Sequence, residues 1–199
     1  MGAMAVADVA ERSGPWPAPV TGHDGWRAAD LQKFPDDGLR YEIIDGMLLV
    51  SPAPLKRHQV ALGRLYLLLT GACPPEYEVI VAPADWKIDE TTVVQPDLMM
   101  IPRAGLDDPI GTPLVAVEIA SRSTARIDRT VKFERYAEAG ARQYWIVDPG
   151  SSTRAPTVEV YDLTDRQYAL QGRARGDESL TVTGVVQVGG TPSSLISQQ

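Results

Sequence analysis

Cysteine is nearly absent from this chain: Cys73 is the only one in 199 residues. A single thiol closes no internal disulfide and supplies no zinc-finger spacing, so a disulfide-stapled secreted module and a zinc finger are both excluded. It suits a reducing cytoplasm, which is the expected location. Long hydrophobic runs are missing too. The longest candidate, Leu65 to Ala72, falls far short of the ~18 residues that a membrane span requires. No basic segment followed by an apolar one opens the chain, so no secretory signal is expected. Positive charge is in deficit, 19 Lys and Arg against 26 Asp and Glu, for a net charge of −7. That balance argues against a nonspecific nucleic-acid coat protein. It leaves room for an enzyme whose clustered acids hold a metal and whose local basic surface meets phosphate. Phosphate-loop and Gly-x-Ser-x-Gly signatures are absent, and a Ser-His-Asp mechanism has no local support.

A hydrophobic fraction of 44% with 23% charged residues is that of an ordinary globular protein with a sizeable core. Seventeen glycines and sixteen prolines favour turns and short strands over a helical bundle. Residues 1–30, with Pro15-Trp16-Pro17-Ala18-Pro19, read as an irregular arm, 31–190 as one domain and 191–199 as a frayed polar tail. Asp30 is placed to cap a short helical turn through Phe34. Tyr41 to Val50 reads as a β-hairpin turning at Asp45-Gly46, a pair that accepts the positive φ of a two-residue turn. A helix is expected from Leu55 to Thr70, with Ala61, Leu62, Leu65, Leu68 and Leu69 on one face. Strand-like runs follow at Tyr77 to Ile88, Val93 to Ile101 and Leu114 to Ile119, the last apolar enough to be buried on both sides. A second helix is expected over Ala125 to Ala139 with Gly140 as its C-cap, then a buried strand from Gln143 to Val147. Thr157 to Leu163, Gln167 to Gly172 and Leu180 to Val188 read as antiparallel strands. This order is that of a mixed α/β (α+β) fold.

Two acids stand where acids are costly. Asp97 follows Pro96 and opens Leu98-Met99-Met100-Ile101, and Glu118 interrupts the apolar run from Leu114 to Ala120. A buried carboxylate needs a cation, a donor or a proton. On neighbouring strands the two would converge at one strand end, and such hard oxygen ligands suit Mg²⁺ or Mn²⁺. Equally, each acid could be salt-bridged or solvated on its own. Lys132 lies roughly 90° from the inward face of the second helix, at the boundary of core and solvent, from where its ammonium can reach over a strand end. Beside two acids it would orient a water or offset charge on phosphate. Otherwise it is an ordinary helical lysine paired with Asp128 or Tyr136.

Several ordered motifs then carry a resemblance. Tyr41-Glu42-Ile43-Ile44-Asp45-Gly46, Ser51-Pro52 with His58, and Gln95-Pro96-Asp97 form the first half. Val117-Glu118-Ile119-Ala120-Ser121, the spaced Asp128, Lys132, Tyr136 and Ala139-Gly140, and Tyr144-Trp145-Ile146-Val147-Asp148-Pro149 form the second. Over residues 38–165 the chain resembles the Uma-two family of predicted endonucleases, in the PD-(D/E)XK, restriction-endonuclease-like superfamily. The resemblance implies a mixed β-sheet core flanked by helices, with additional antiparallel strands at the C-terminus. It makes Asp97 the motif aspartate and Glu118 the second acid. The lysine usual two residues after the second acid is replaced by Ala120, and the resemblance assigns its role to Lys132. Arg122 stands where a proline is common, which concerns loop shape.

Glu42, on the first hairpin strand, is a further candidate acid or a solvent-side charge. His58, central on the first helix's apolar face, is either a satisfied core histidine or a partner of a site carboxylate or metal-bound water. Gln143 and Tyr144 are placed to approach the same cleft. The resulting expectation is a Mg²⁺- or Mn²⁺-dependent endonuclease acting on nucleic acid, with DNA as the expected substrate. Asp97, Glu118 and the Ile119 carbonyl would hold metal, and Lys132 would activate water or stabilise the transition state. Six basic residues against three acids between Arg122 and Arg142 suggest a phosphate-facing rim, or simply a solvated helix. The competing expectation is a catalytically inactive nuclease-fold protein that serves interaction or self-association, with the C-terminal strands as a candidate homodimer surface.

Overall fold

Asp45 (φ 53°) and Gly46 (φ 74°) both adopt positive φ, so the first hairpin turns where the Asp-Gly pair demands. It joins β1 (Arg40–Ile44) to β2 (Met47–Ser51). The structure, a computed structural model, describes residues 25–106, 111–121 and 124–195. Most of the expected arm, Arg122 and the end of the tail lie outside that range. The remaining elements are α1 (Ala28–Leu31), α2 (Lys56–Gly71), β3 (Tyr77–Val81), β4 (Trp86–Asp89), β5 (Thr92–Val94), β6 (Leu98–Pro102), β7 (Val115–Ile119), α3 (Ala125–Asp128) and α4 (Val131–Ala139). They are followed by β8 (Gln143–Asp148), β9 (Thr157–Thr164), β10 (Gln167–Arg175), β11 (Leu180–Val182) and β12 (Val188–Gly190).

The strands form a six-stranded sheet in the order β10-β9-β8-β7-β6-β3, a four-stranded sheet in the order β2-β1-β5-β4, and the pair β11-β12. β7 and β8 run parallel, joined through α3 and α4, while every other recorded pairing is antiparallel. This is a mixed α+β fold. Every residue of β7 is buried, as its apolar run requires. Alternation sends Val115, Val117 and Ile119 toward α2, where Ala61, Leu65 and Leu69 pack with Trp145 and Val160. Ala116, Tyr144 and Ile146 face the other way, against Tyr136 of α4 and Ile44, Leu49, Trp86 and Val94 of the small sheet. Tyr41, Ile43, Leu48 and Val50, on the outer side of the hairpin, pack with Trp26, Leu31 and Phe34. No helix among the described residues is long and apolar enough to cross a membrane.

Several expected boundaries change. The run from Tyr77 to Ile88 divides into β3 and β4, and that from Val93 to Ile101 into β5 and β6, with each half in a different sheet. Pro83 and Pro96 lie in the breaks, and a residue without an N–H cannot continue a ladder. The expected helix over Ala125 to Ala139 divides at Arg129-Thr130. Thr130 takes φ −124° and ψ −86°, and its hydroxyl donates to the Arg126 carbonyl at 2.8 Å. Gly140 caps α4 in the left-handed conformation, as expected. The run from Leu180 to Val188 is two strands, β11 and β12, paired with each other.

The ends of the folded body also shift. The Trp26 N–H donates to the Gly46 carbonyl at 2.7 Å, and α1 begins at Ala28, so the body starts before residue 31. Asp30 caps from the third helical position, accepting the Arg27 N–H at 3.0 Å. Residues 191–195 are not frayed: Pro192–Leu195 form a 3₁₀ turn and Leu195 is buried beside α2.

The Asp148–Arg154 loop after β8 turns on Gly150, at φ +68°. A Cβ there would lie 2.3 Å from the Arg154 carbonyl oxygen. Gly150→Ala is therefore expected to cost about 1–3 kcal/mol of stability in urea denaturation, and an unchanged midpoint would refute this account of the loop.

Candidate active site

The change of sheet at Pro96 positions Asp97. β5 ends at Val94 in the small sheet and β6 starts at Leu98 in the large one, paired with Val117 of β7. Asp97 stands at the join, 2% exposed, beside the strand end that carries Glu118. Its Oδ2 accepts the Ile119 N–H at 2.8 Å, and its Oδ1 accepts Arg40 Nη1 at 3.0 Å. His58, on the inner face of α2, brings Nε2 to 3.3 Å from the same Oδ1, without the alignment of a hydrogen bond.

Glu118 points away from α2 and toward α4, since Val117 and Ile119 take the opposite face. Its Oε1 accepts both Lys132 Nζ at 2.9 Å and the Tyr136 hydroxyl at 2.7 Å. Lys132 Nζ also donates to Glu42 Oε1 at 2.8 Å, and that oxygen accepts the Gln95 N–H at 2.8 Å. Lys132 is 2% exposed, so it lies inside the protein rather than at the expected boundary, and it pairs with Glu42 and Glu118 rather than through hydrogen bonds to Asp128 or Tyr136. The carboxylates on β1 and β7 draw the ammonium inward.

These groups line one cavity of about 660 Å³. Asp97, Glu118, Lys132, Glu42, His58 and Ile119, all singled out from sequence, reach it. Gln143 and Tyr144 do not. Gln143 bonds Asp162 and the Thr183 carbonyl, and the Tyr144 hydroxyl donates to the Asp128 carbonyl. Of the two readings of the basic segment, the described arginines follow the solvated, paired one. Arg129 pairs with Glu159, and Arg135 with Asp45 and Glu138, away from the cavity. The cavity's own cations are Arg40, Arg57, Lys132 and Arg154, matching the acids Glu42, Asp97, Glu118 and Asp148. Arg40 went unremarked in the sequence reading. Its signal was the two-residue period of β1, which puts Arg40 on the same side as Glu42.

Charge crowding sets the protonation of the site. Burial pushes the Glu118 carboxyl up to about 8; Lys132 opposes the rise, and Asp128, Asp97 and Glu42 add to it. Burial likewise raises Asp128 to about 6 against the pull of Lys132, and neither Asp128 oxygen has a hydrogen-bond partner among the described residues. For Asp97 burial works against ionisation but is outweighed by His58, Arg40 and the Ile119 N–H, so its carboxyl stays below the usual range. Burial also opposes the Lys132 ammonium and is outweighed by Glu118, Glu42 and Asp128, which hold it charged well above neutrality. Tyr136 is raised by burial and Glu118 and keeps its proton as a donor.

The donor set bears on a metal. Among the described residues, no three His, Cys, Asp or Glu side chains form a ready-made ligand cluster. Glu118 and Glu42 each direct Oε1 to donors and leave Oε2 without a hydrogen bond, in residues that line the cavity. Two carboxylates with free oxygens and space for water fit Mg²⁺ or Mn²⁺, which retain several waters, and would not satisfy a zinc site.

Residues 28–191 match the model of the family Uma2, described as "Putative restriction endonuclease". No curated protein matches the chain significantly. A crystal structure from Anabaena variabilis, described as "a putative nuclease belonging to DUF820", superposes with a TM-score of 0.65. At 15% identity, over 84% of this chain and 96% of that one, the likeness is one of fold.

The raised carboxyls of Glu118 and Asp128 imply a pH effect on the metal-free protein. Groups whose pKa is higher folded than unfolded stabilise fully below the unfolded value and lose that contribution as pH rises through the folded one. Stability should therefore fall between about pH 5 and pH 8. Glu118→Gln should flatten the fall by more than ~1.4 kcal/mol, one pKa unit, in urea denaturation across that range. Parallel curves for the two proteins would contradict the assignment.

Proposed function

The chain belongs to the Uma2 family, and from that premise and the geometry of the cavity we propose that it is a Mg²⁺- or Mn²⁺-dependent endonuclease that hydrolyses DNA phosphodiesters. The observation that carries the reading is the meeting of Asp97, Glu118, Glu42 and the Lys132 ammonium at one sheet end. The family's description as a restriction endonuclease supports DNA as substrate. Asp97 and Glu118, with the Ile119 carbonyl, are the residues that would hold the metal, and Asp97 would have to release Arg40 from Oδ1 to do so. A bound divalent ion would polarise the phosphodiester and lower the pKa of water beside it.

The chain's own groups then divide the work. Lys132 is locked in its charged form, so it serves as a hydrogen-bond donor and positive charge for the phosphorane-like transition state and does not accept the water's proton. Glu42 holds the ammonium from the side opposite Glu118. Tyr136 occupies Glu118 Oε1 and leaves Oε2 for the cavity. His58 sits against Asp97 and steadies its orientation. In the reaction the water oxygen bonds to phosphorus, one ester P–O bond breaks and a proton from the water ends on the leaving oxygen, yielding a phosphate monoester and an alcohol. The alternative is an inactive nuclease-fold interaction module.

Purified protein should cleave DNA only with Mg²⁺ or Mn²⁺ present. Asp97→Asn and Lys132→Met should each lose at least ~100-fold in rate while circular dichroism stays unchanged. Absence of cleavage on single-stranded, duplex and branched DNA, together with no stabilisation by metal, would establish the interaction module instead. We also propose a homodimer, supported by the edge position of β10 in the large sheet. Light scattering at micromolar concentration should return twice the chain mass, and a monomer mass would remove the proposal.

A further inference from the structure

Arg40 differs from the other charges of the site in being loosely held. Its side chain is 23% exposed, whereas those of Asp97, Glu42, Glu118 and Lys132 are 2–4% exposed. Only Nη1 is engaged, by Asp97 Oδ1 at 3.0 Å and the Gln95 carbonyl at 3.2 Å. Nε and Nη2 donate to no group among the described residues, although a guanidinium has five N–H donors and the residue lines the cavity. The cavity's other outer arginines bond to the loop after β8, Arg57 to the Pro149 carbonyl at 3.4 Å and Arg154 to Asp148. Neither touches Asp97 or Glu118.

Asp97 is already crowded by donors. Arg40 and His58 share Oδ1, and the Ile119 N–H takes Oδ2. A dication at Asp97 would stand within a few ångströms of the guanidinium, and like charges that close in a buried site repel strongly. The cavity's acids do not outnumber its cations, so a dication would leave it net positive. A phosphodiester is the natural relief. It brings an anion to the cavity mouth, and the unused Nε and Nη2 form the planar fork that grips two phosphate oxygens.

We propose that Arg40 is a phosphate-binding residue of this site which, without nucleic acid, stands on Asp97 in the place of the divalent ion, so that metal and phosphodiester bind cooperatively. The inference rests on the metal-dependent nuclease reading above and adds to it an order of assembly: phosphate draws Arg40 off Asp97, and the freed carboxylate takes the metal. By linkage, the metal must strengthen phosphate binding by the same factor.

Manganese binding to the full chain, followed by electron paramagnetic resonance, tests this directly. Titrations are run alone and with a phosphorothioate-linked oligonucleotide that resists cleavage. For the unaltered protein the oligonucleotide should tighten Mn²⁺ binding by about tenfold or more. Arg40→Gln should bind Mn²⁺ more tightly than the unaltered protein when no oligonucleotide is present, and the oligonucleotide should then change its affinity less than about twofold. Arg40→Lys keeps the charge but loses the fork, so its coupling should fall to about threefold or less, which decides the matter if the Gln variant does not fold. Coupling of undiminished size in either variant, or Mn²⁺ affinity in Arg40→Gln no higher than in the unaltered protein, overturns the role of Arg40 and leaves the metal site standing. No Mn²⁺ binding in any arm overturns the metal reading together with this one.

Discussion

A lysine ammonium buried between two carboxylates organises this molecule. Lys132 comes from α4, Glu42 from the first hairpin and Glu118 from a central strand of the large sheet, so one side chain joins three elements. None of the three charges would be tolerable alone at 2–3% exposure. Removing one partner of such a group typically costs several kcal/mol, because it strands the others, although an apolar replacement of the whole set could be as stable. Stability by itself is thus a poor reason to keep this cluster. Its place at the floor of a large cavity, with carboxylate oxygens left free, makes chemistry the better reason.

The sheet architecture serves the same end. The chain passes from the small sheet to the large one at Pro96, and the residue that follows is Asp97. A side chain at such a join faces a place where the ladder has stopped and backbone groups are free, as the Ile119 N–H that Asp97 captures demonstrates. α2 closes the opposite side with His58, and the loop after β8 forms the outer wall. Apolar packing on both faces of β7 and β8 holds these pieces in register.

Local chemistry made much of this legible before any coordinates. Asp45-Gly46 could only be a tight turn, the period of α2 identified Ala61, Leu65 and Leu69 as its buried face, and the apolar run of β7 marked a central strand with Glu118 as its anomaly. What stayed hidden was non-local. Pro83 and Pro96 announce that a strand stops, yet nothing near them says that the next strand joins another sheet. A helical wheel put Lys132 at a boundary because it omits what the partner strand contributes. Glu42, 90 residues away, turns that boundary into an interior. Whether Arg129 and Arg135 faced phosphate or solvent stayed open because two of the acids that engage them, Glu159 and Asp45, are far off in sequence. Arg40 escaped because its meaning depends on Asp97, 57 positions later.

In the function proposed above, the acids at this sheet end gather around a divalent ion. A crystal soaked in Mn²⁺ and measured at the manganese absorption edge puts that claim to its most direct test. An anomalous peak is expected in the cavity at roughly 2.0–2.3 Å from oxygens of Asp97 and Glu118, with the Lys132 ammonium still alongside. A cavity without such a peak, under conditions where manganese is seen elsewhere on the protein, would contradict it.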